Sequence, residues 1–159
     1  MFIRIDRHEI QRLEKEQLKE RIVKGAPGIF FIDGPTGCGK TRFMKELRSE
    51  GAAVTPFCDL LEEYTDNTLK GVSAEEFAAE LERRSPGGMI GLEDIDICLM
   101  GKKYTQTETA ALLVRLSAAR RVVVTGIEID LRCGELFGCL KSREYGYYLM
   151  GMSTEATAS

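Results

Sequence analysis

Short apolar runs alternate with amphipathic stretches along the chain. The run at 29–32 is rich in β-forming residues, which is typical of a strand buried on both faces. Similar or weaker runs at 52–57, 89–92, 121–125 and 145–150 predict four more strands. Because strands that alternate with helices imply right-handed βαβ crossovers, the pattern predicts a parallel sheet with helices on both faces.

The segments between these runs show helical spacing of apolar residues. Residues 151–159 show no such pattern and are expected to be a disordered tail, so residues 1–150 are predicted to form a single domain. An exposed amphipathic helix over 7–24 would open that domain. The other predicted helices cover 40–49, 59–71, 73–84 with a Ser73–Glu76 capping box, a segment opened by a Thr105–Glu108 capping box, and 131–140.

The composition fits a globular domain and excludes several classes of protein. The chain has 159 residues, 43% hydrophobic and 30% charged, and no apolar stretch approaches the ~20 residues of a membrane span. The net charge of −3 supplies no overall field that would attract nucleic acid, so any DNA contact has to be local. We expect a soluble cytoplasmic protein without membrane association.

The cysteines do not suggest a disulfide framework or a zinc site. They are odd in number, contain no C-x-x-C pair and are accompanied by a single histidine, His8. A domain of this length can also bury enough surface to fold without cross-links. We therefore expect reduced thiols at Cys38, Cys58, Cys98, Cys133 and Cys139.

Residues 34–41 match the pattern G-x-x-x-x-G-K-[ST] in full. Glycines allow successive backbone N–H groups to converge on phosphate oxygens, Lys40 can reach the β and γ phosphates, and Thr41 can ligate Mg²⁺. The run follows an apolar strand and opens a helix, as a phosphate-binding loop requires; a purely structural glycine turn is the alternative. The motif predicts a P-loop NTPase that binds a nucleoside triphosphate and Mg²⁺ through Gly34, Pro35, Thr36, Gly37, Cys38, Gly39, Lys40, Thr41 and Arg42.

Two adjacent acids, Glu93 and Asp94, end the third predicted strand. At the carboxyl end of a strand beside the loop, one carboxylate can hold Mg²⁺ and the other can orient the attacking water. The alternative is that both are solvated residues at the end of a strand. Beside an intact phosphate loop, the catalytic interpretation is favoured.

Residues 91–96, followed by the segments 99–102 and 105–108, resemble the ATPase domain of the DnaA family of bacterial replication initiators, in the initiator and helicase-loader branch of the AAA+ class. Residues 140–143, ahead of the last predicted strand, are similar to the same family. The resemblance runs from about residue 29 to 149. It implies a three-layer α/β sandwich whose five parallel strands, numbered along the chain, lie in the order 5-1-4-3-2. It also implies a nucleotide bound at a boundary between subunits.

The same resemblance implies roles for individual residues. Glu93 becomes the Mg²⁺-side acid, Asp94 the water-activating acid, and Arg143 the arginine finger that reaches the γ-phosphate of a neighbouring subunit. Ile127 stands where the family has an acidic sensor, which leaves Thr125 as the nearby polar candidate.

Two further sets of residues could contact nucleic acid. Lys102 and Lys103 are the best local site for a phosphate backbone, with a solvated loop as the alternative. Tyr145, Tyr147 and Tyr148 could stack on bases, but aromatic residues are common in strands and we favour packing in the core.

These features together predict an ATP-binding, DnaA-like module with slow hydrolysis or ATP-switched assembly with itself or a replication protein. The family's helical lid and DNA-binding domain are expected to be missing from the 159 residues. A module that binds nucleotide without hydrolysis is one alternative, motivated by Ile127 and the missing lid. A small-molecule kinase is another, disfavoured because Arg143 is the only basic residue after position 142.

Overall fold

A six-stranded, all-parallel sheet forms the centre of the computed structural model, which describes residues 10–12, 14–141 and 145–150. The strands are β1 (Ile10–Arg12), β2 (Gly28–Asp33), β3 (Ala53–Pro56), β4 (Met89–Glu93), β5 (Arg121–Gly126) and β6 (Tyr145–Leu149). The helices are α1 (Lys15–Val23), α2 (Lys40–Ser49), α3 (Phe57–Leu69), α4 (Ala74–Arg83), α5 (Ile95–Leu99), α6 (Lys103–Ser117), α7 (Ile129–Arg132) and α8 (Gly134–Cys139).

The order of the strands confirms the predicted topology. The sheet runs β1-β6-β2-β5-β4-β3, so the five predicted strands lie in the order 5-1-4-3-2. The sixth strand, β1, pairs with β6 at the edge of the sheet, with Ile10 opposite Tyr147.

The prediction of a helix over 7–24 is wrong at its start. Residues 10–12 form a strand, and the helix begins only at Lys15. The edge of β6 offers unpaired backbone groups to this segment, and such a long-range partner outweighs the weak helical pattern of a charged sequence. Residues 1–9, with His8, and the predicted tail at 151–159 lie outside the described residues.

The helix predicted over 59–71 is found at Phe57–Leu69, and two further helices also differ from prediction. The helix expected to open at Thr105 begins at Lys103, and the helix expected over 131–140 is divided into α7 and α8. Gln106 joins them: its Oε1 accepts hydrogen bonds from the N–H groups of Glu135 and Leu136, at 2.9 and 3.1 Å. A buried amide on α6 thus starts α8. By contrast, the capping box of Ser73 and Glu76 is confirmed.

Apolar side chains cover both faces of the sheet, as the five-strand pattern predicted. Along β2, Ile29 and Phe31 belong to the apolar cluster on one face of the sheet. Phe30 and Ile32 belong to the cluster on the other face, together with residues of α1 and α2. Phe31 lies at the centre of an aromatic group, with ring centroids 4.7 Å from Phe137 and 5.5 Å from Tyr145. The interpretation of the β6 tyrosines as core residues is confirmed, because Tyr145, Tyr147 and Tyr148 are all buried.

No helix within the described part of the chain is long and apolar enough to span a bilayer.

The prediction of five reduced thiols is wrong for one pair. Cys58 and Cys98 form a disulfide that joins α3 to α5, with their Cα atoms 5.7 Å apart. The two residues are 40 positions apart, and only the packing of α3 on α5 brings them together, so no spacing signature reveals the pair. Cys38, Cys133 and Cys139 are free, and burial raises the pKa of the Cys133 thiol to about 12.

Reduction of this disulfide is expected to lower the free energy of unfolding by about 4 kcal/mol, because the bridge closes a 40-residue loop in the unfolded chain. The reduced protein should still fold. Urea unfolding with and without a dithiol reductant, together with the Cys58→Ser/Cys98→Ser variant, measures the effect. Cys139→Ser, which removes an exposed free thiol, is the control. A midpoint unchanged by reductant would contradict the prediction.

Candidate functional site

A cleft of about 660 Å³ opens where the carboxyl ends of β2, β4 and β5 meet. It brings the predicted phosphate loop together with the two predicted acids and Thr125. The residues that line it are Lys15, Thr36, Gly37, Cys38, Gly39, Lys40, Thr41, Arg42, Glu93, Asp94, Thr125 and Ile127.

The backbone of the loop has the conformation that a phosphate cradle needs. Gly37 and Gly39 have φ angles of 86° and 101°, in the left-handed region that side chains disfavour. Gly39 is the N-cap of α2, so the N–H groups of the first turn have no acceptor within the helix and face outward at its positive end. Gly34 is required for a different reason, since a Cβ atom there would collide with the Met150 carbonyl oxygen.

Lys40 folds back over the loop. Its Nζ donates hydrogen bonds to the carbonyl oxygens of Gly34 and Pro35, the latter at 3.1 Å, and lies 3.7 Å from Cys38 Sγ. These carbonyls hold the ammonium at the mouth of the glycine cradle. Phosphate oxygens can take their place as acceptors, so the loop, α2 and Lys40 fit a polyphosphate group.

The two acids at the end of β4, Glu93 and Asp94, lie in different environments. Glu93 is half-buried, whereas Asp94 is exposed and has a left-handed backbone, with φ 58° and ψ 50°. The N–H of Asp94 donates to Thr125 Oγ1 at 3.2 Å. Thr125, which is 2% exposed, therefore holds the backbone of Asp94 in place, a contact that sequence alone did not reveal.

Two effects disfavour the charged form of Glu93. Burial raises its pKa above the ordinary value of 4.5, and the negative charge of Asp94 raises it further. Arg48 and Lys45 act in the opposite direction through their positive charges. A cation bound in the cleft would favour the carboxylate, as expected of a residue on the Mg²⁺ side.

Asp33, which precedes the predicted phosphate loop, is a buried residue that supports the walls of the cleft and that the sequence patterns missed. Its Oδ1 accepts a hydrogen bond from the N–H of Glu128 at 2.8 Å, and its Oδ2 accepts from the N–H of Ile129 at 3.1 Å and from the Tyr147 hydroxyl. Glu128 lies 95 positions away, so no local spacing connects the two. The carboxylate fixes the segment that follows β5 beside the loop.

Asp96 also holds the segment that follows β5. This buried carboxylate accepts from the N–H of Ile127 at 3.2 Å and from Arg132 Nη1 at 2.8 Å. Ile127, which replaces the expected acidic sensor, thus enters the cleft on a backbone held by Asp96.

The remaining predicted residues are not part of the cleft as described. Arg143 lies outside the described residues. Lys102 and Lys103 are exposed at the start of α6 and do not line the cleft. Lys15 does line it, although the amphipathic pattern of its helix gave no signal of this.

Comparison with known proteins supports the fold. No protein-family model and no curated protein matches the sequence. The structure matches domain III of the replication initiation protein DnaA from Thermotoga maritima, with a TM-score of 0.64 and 16% identity over 87% of this chain and 60% of that chain. It also matches a replication initiator DnaA bound to AMPPCP and single-stranded DNA, with a TM-score of 0.65 and 21% identity over 87% of this chain and 44% of that chain.

A third match is AMPPCP-bound DnaA from Aquifex aeolicus, with a TM-score of 0.61 and 17% identity over 87% of this chain and 45% of that chain. The chain therefore has the fold of DnaA domain III, and the resemblance predicted from residues 91–108 is confirmed at the level of the fold. This chain spans between 44% and 60% of the length of the protein chains that it matches.

Because the pKa of Glu93 is raised in the folded protein, the folded state binds a proton more tightly there than the unfolded state does. This contribution makes stability fall as pH rises through the interval between the ordinary and the raised pKa. Glu93→Gln is expected to remove that decline and to be the more stable form at neutral pH. Urea unfolding from about pH 4 to about pH 8 measures it, with the exposed Glu62→Gln as control. An identical pH dependence in wild type and Glu93→Gln would contradict the assignment.

Proposed function

We propose that the chain is an ATP-binding AAA+ module of the DnaA type, with slow Mg²⁺-dependent hydrolysis or ATP-switched assembly, that acts in replication initiation or helicase loading. One observation carries the proposal. The left-handed glycines Gly37 and Gly39 lead into α2 within a cleft that also holds Lys40, Glu93 and Asp94.

Binding of the triphosphate exchanges contacts that the loop makes with itself. Lys40 leaves the carbonyl oxygens of Gly34 and Pro35 for the β and γ phosphates, while the N–H groups of the first turn of α2 receive phosphate oxygens. Thr41 and Glu93 are the proposed Mg²⁺ residues. Mg²⁺ held by these two residues would help to neutralise the charge of the phosphates.

The metal site depends on the nucleotide. Within the described ranges, no group of three or more His, Cys, Asp or Glu side chains is placed to hold a metal ion. Mg²⁺ is commonly bound through one or two carboxylates together with substrate phosphates, which agrees with a single proposed carboxylate at Glu93.

Hydrolysis requires a group that orients water, and Asp94 is the proposed residue. Its exposed carboxylate lies at the cleft, and its backbone N–H is held by a hydrogen bond to Thr125. We propose Arg143 as the finger for a neighbouring subunit's nucleotide. Because an arginine finger contributes ~10³ or more in rate, hydrolysis by an isolated chain is expected to be slow.

The matched structures support the proposed ligands. DnaA proteins of this fold are bound to AMPPCP, and one is also bound to single-stranded DNA. We extend both ligand classes to this chain as a proposal, with the exposed Lys102 and Lys103 as the DNA contacts. Self-association or contact with a replication protein would couple the nucleotide state to assembly.

A second candidate function is a nucleotide-binding module that does not hydrolyse. The apolar side chain of Ile127 lines the cleft where the resemblance leads us to expect an acidic sensor, which favours this reading over an efficient ATPase. The same loop would bind the nucleotide in either case.

Lys40→Ala is expected to weaken ATP binding by about a hundredfold or more, because charge-assisted hydrogen bonds to phosphate of about 1.5 to 3 kcal/mol each are lost. Isothermal titration calorimetry with Mg-ATP measures the loss. Lys70→Ala, which removes an exposed lysine outside the cleft, is the matched control and should bind like wild type. Equal affinity in wild type and Lys40→Ala would contradict the proposal.

Asp94→Asn is expected to retain ATP binding and to remove turnover, because the amide cannot accept the proton of the attacking water. Phosphate release from labelled ATP under single-turnover conditions is the measurement, with calorimetry on the same variant to confirm binding. Turnover that is unchanged in Asp94→Asn would assign the water-orienting role elsewhere. Absence of turnover in wild type would favour the non-hydrolysing module.

A further inference from the structure

Lys15 is a basic residue of the cleft that does not belong to the phosphate loop. It lies in the first turn of α1 and lines the same cleft as Gly37, Lys40 and Thr41. A positive charge in the first turn opposes the helix macrodipole, so this position is not explained by helix stability.

In the structure, Lys15 is held by a residue of α2. Its Nζ donates a 2.6 Å hydrogen bond to Glu46 Oε2, and this contact lowers the pKa of Glu46. Both side chains are about one-third exposed. An ion pair with this exposure contributes little to stability, so Lys15 can leave it at small cost.

Glu46 has a second cationic partner. Lys19, one turn further along α1, places its Nζ 3.5 Å from Glu46 Oε1. If Lys15 turns toward the cleft, Lys19 keeps the carboxylate of Glu46 compensated. The pair of lysines therefore allows one of them to exchange partners while the contact between α1 and α2 is kept.

We propose, on the basis of the nucleotide binding proposed above, that Lys15 is a phosphate-binding residue that exchanges Glu46 for an oxygen of the nucleotide's polyphosphate. A triphosphate brings a higher negative charge than the single carboxylate of Glu46. A lysine ammonium is a flexible point charge that binds phosphate without the planar geometry an arginine needs.

The first test compares two lysines that share Glu46. Lys15→Ala should weaken binding of ATP by about tenfold, which corresponds to about 1.4 kcal/mol and to one lost charge-assisted contact, and should leave binding of adenosine unchanged. Lys19→Ala, which removes a lysine outside the cleft lining, should stay within about twofold of wild type. Lys15→Arg should restore most of the affinity. Thermal unfolding of each variant checks that α1 remains packed.

The second test reverses the sign. Glu46→Gln removes the carboxylate that competes for Lys15, so it is expected to tighten ATP binding by about twofold to threefold. The same change made in the Lys15→Ala background should have no effect. A purely structural role for the pair predicts weaker binding in Glu46→Gln, and a general effect of charge predicts equal tightening in both backgrounds.

The outcomes separate the two proposals. Failure of the wild-type chain to bind ATP overturns the proposed function itself. Wild-type binding with equal losses in Lys15→Ala and Lys19→Ala, or an equal loss of adenosine binding, overturns the role of Lys15 and leaves nucleotide binding by the loop in place. Equal tightening by Glu46→Gln in both backgrounds also overturns the exchange.

Discussion

Parallel pairing of β2 with both β5 and β6 is the constraint on which the cleft depends. The register places Asp33 beside Gly126 and beside Leu149, so three strands end at the same level. Backbone hydrogen bonds continue this alignment beyond the strands: Gly34 N–H donates to the Gly126 carbonyl, and Met150 N–H donates to the Asp33 carbonyl. Because side chains alternate along a strand, a slip of one residue would turn Asp33 and Thr125 to the opposite face.

The segments that follow β4 and β5 each contain a residue with an unfavourable backbone conformation, which a neighbouring strand stabilises. Asp94 and Glu128 both have positive φ angles, 58° and 48°, each at the start of a short helix. Such residues cost of order 1 to 3 kcal/mol each and persist only when their surroundings hold them. Thr125 on β5 binds the N–H of Asp94, and Asp33 on β2 binds the N–H of Glu128. The acid at the cleft is therefore oriented by a different strand from the one that carries it.

The parts of this arrangement that follow from local chemistry were predictable from sequence. The bounds of α2 and the left-handed backbone at Gly37 and Gly39 were predicted correctly, since these glycines signal positive φ angles and Lys40 opens an amphipathic helix. Long-range partners were not predictable, because their two halves carry no shared local signal. The pairing of β1 with β6 and the Cys58–Cys98 disulfide are of this kind.

The same distinction applies within the site. Glu93 and Asp94 were assigned from two adjacent letters at a strand end, but the raised pKa of Glu93 depends on burial and on neighbouring charges that only the fold supplies. The position of Lys15 at the cleft could not be predicted, because a charged helical turn has the same sequence pattern whether it faces solvent or a cleft. Predictable residues are thus those whose chemistry needs a particular local backbone, and hidden residues are those whose role depends on what packs beside them.

Both lysines of the cleft are bound to the protein's own acceptors, and this shapes how the site can respond to an anion. Lys40 rests on loop carbonyls, and Lys15 rests on Glu46. Neither ammonium is left in the cleft without a counterpart, so a polyphosphate would replace existing contacts and would not enter an open positive field. Exchange of this kind favours ligands with several negative charges, because only they replace both sets of acceptors at once. The carbonyls that Lys40 would release belong to the residues that open the loop, so binding of the proposed nucleotide would be coupled to loop conformation through Gly34 and Pro35.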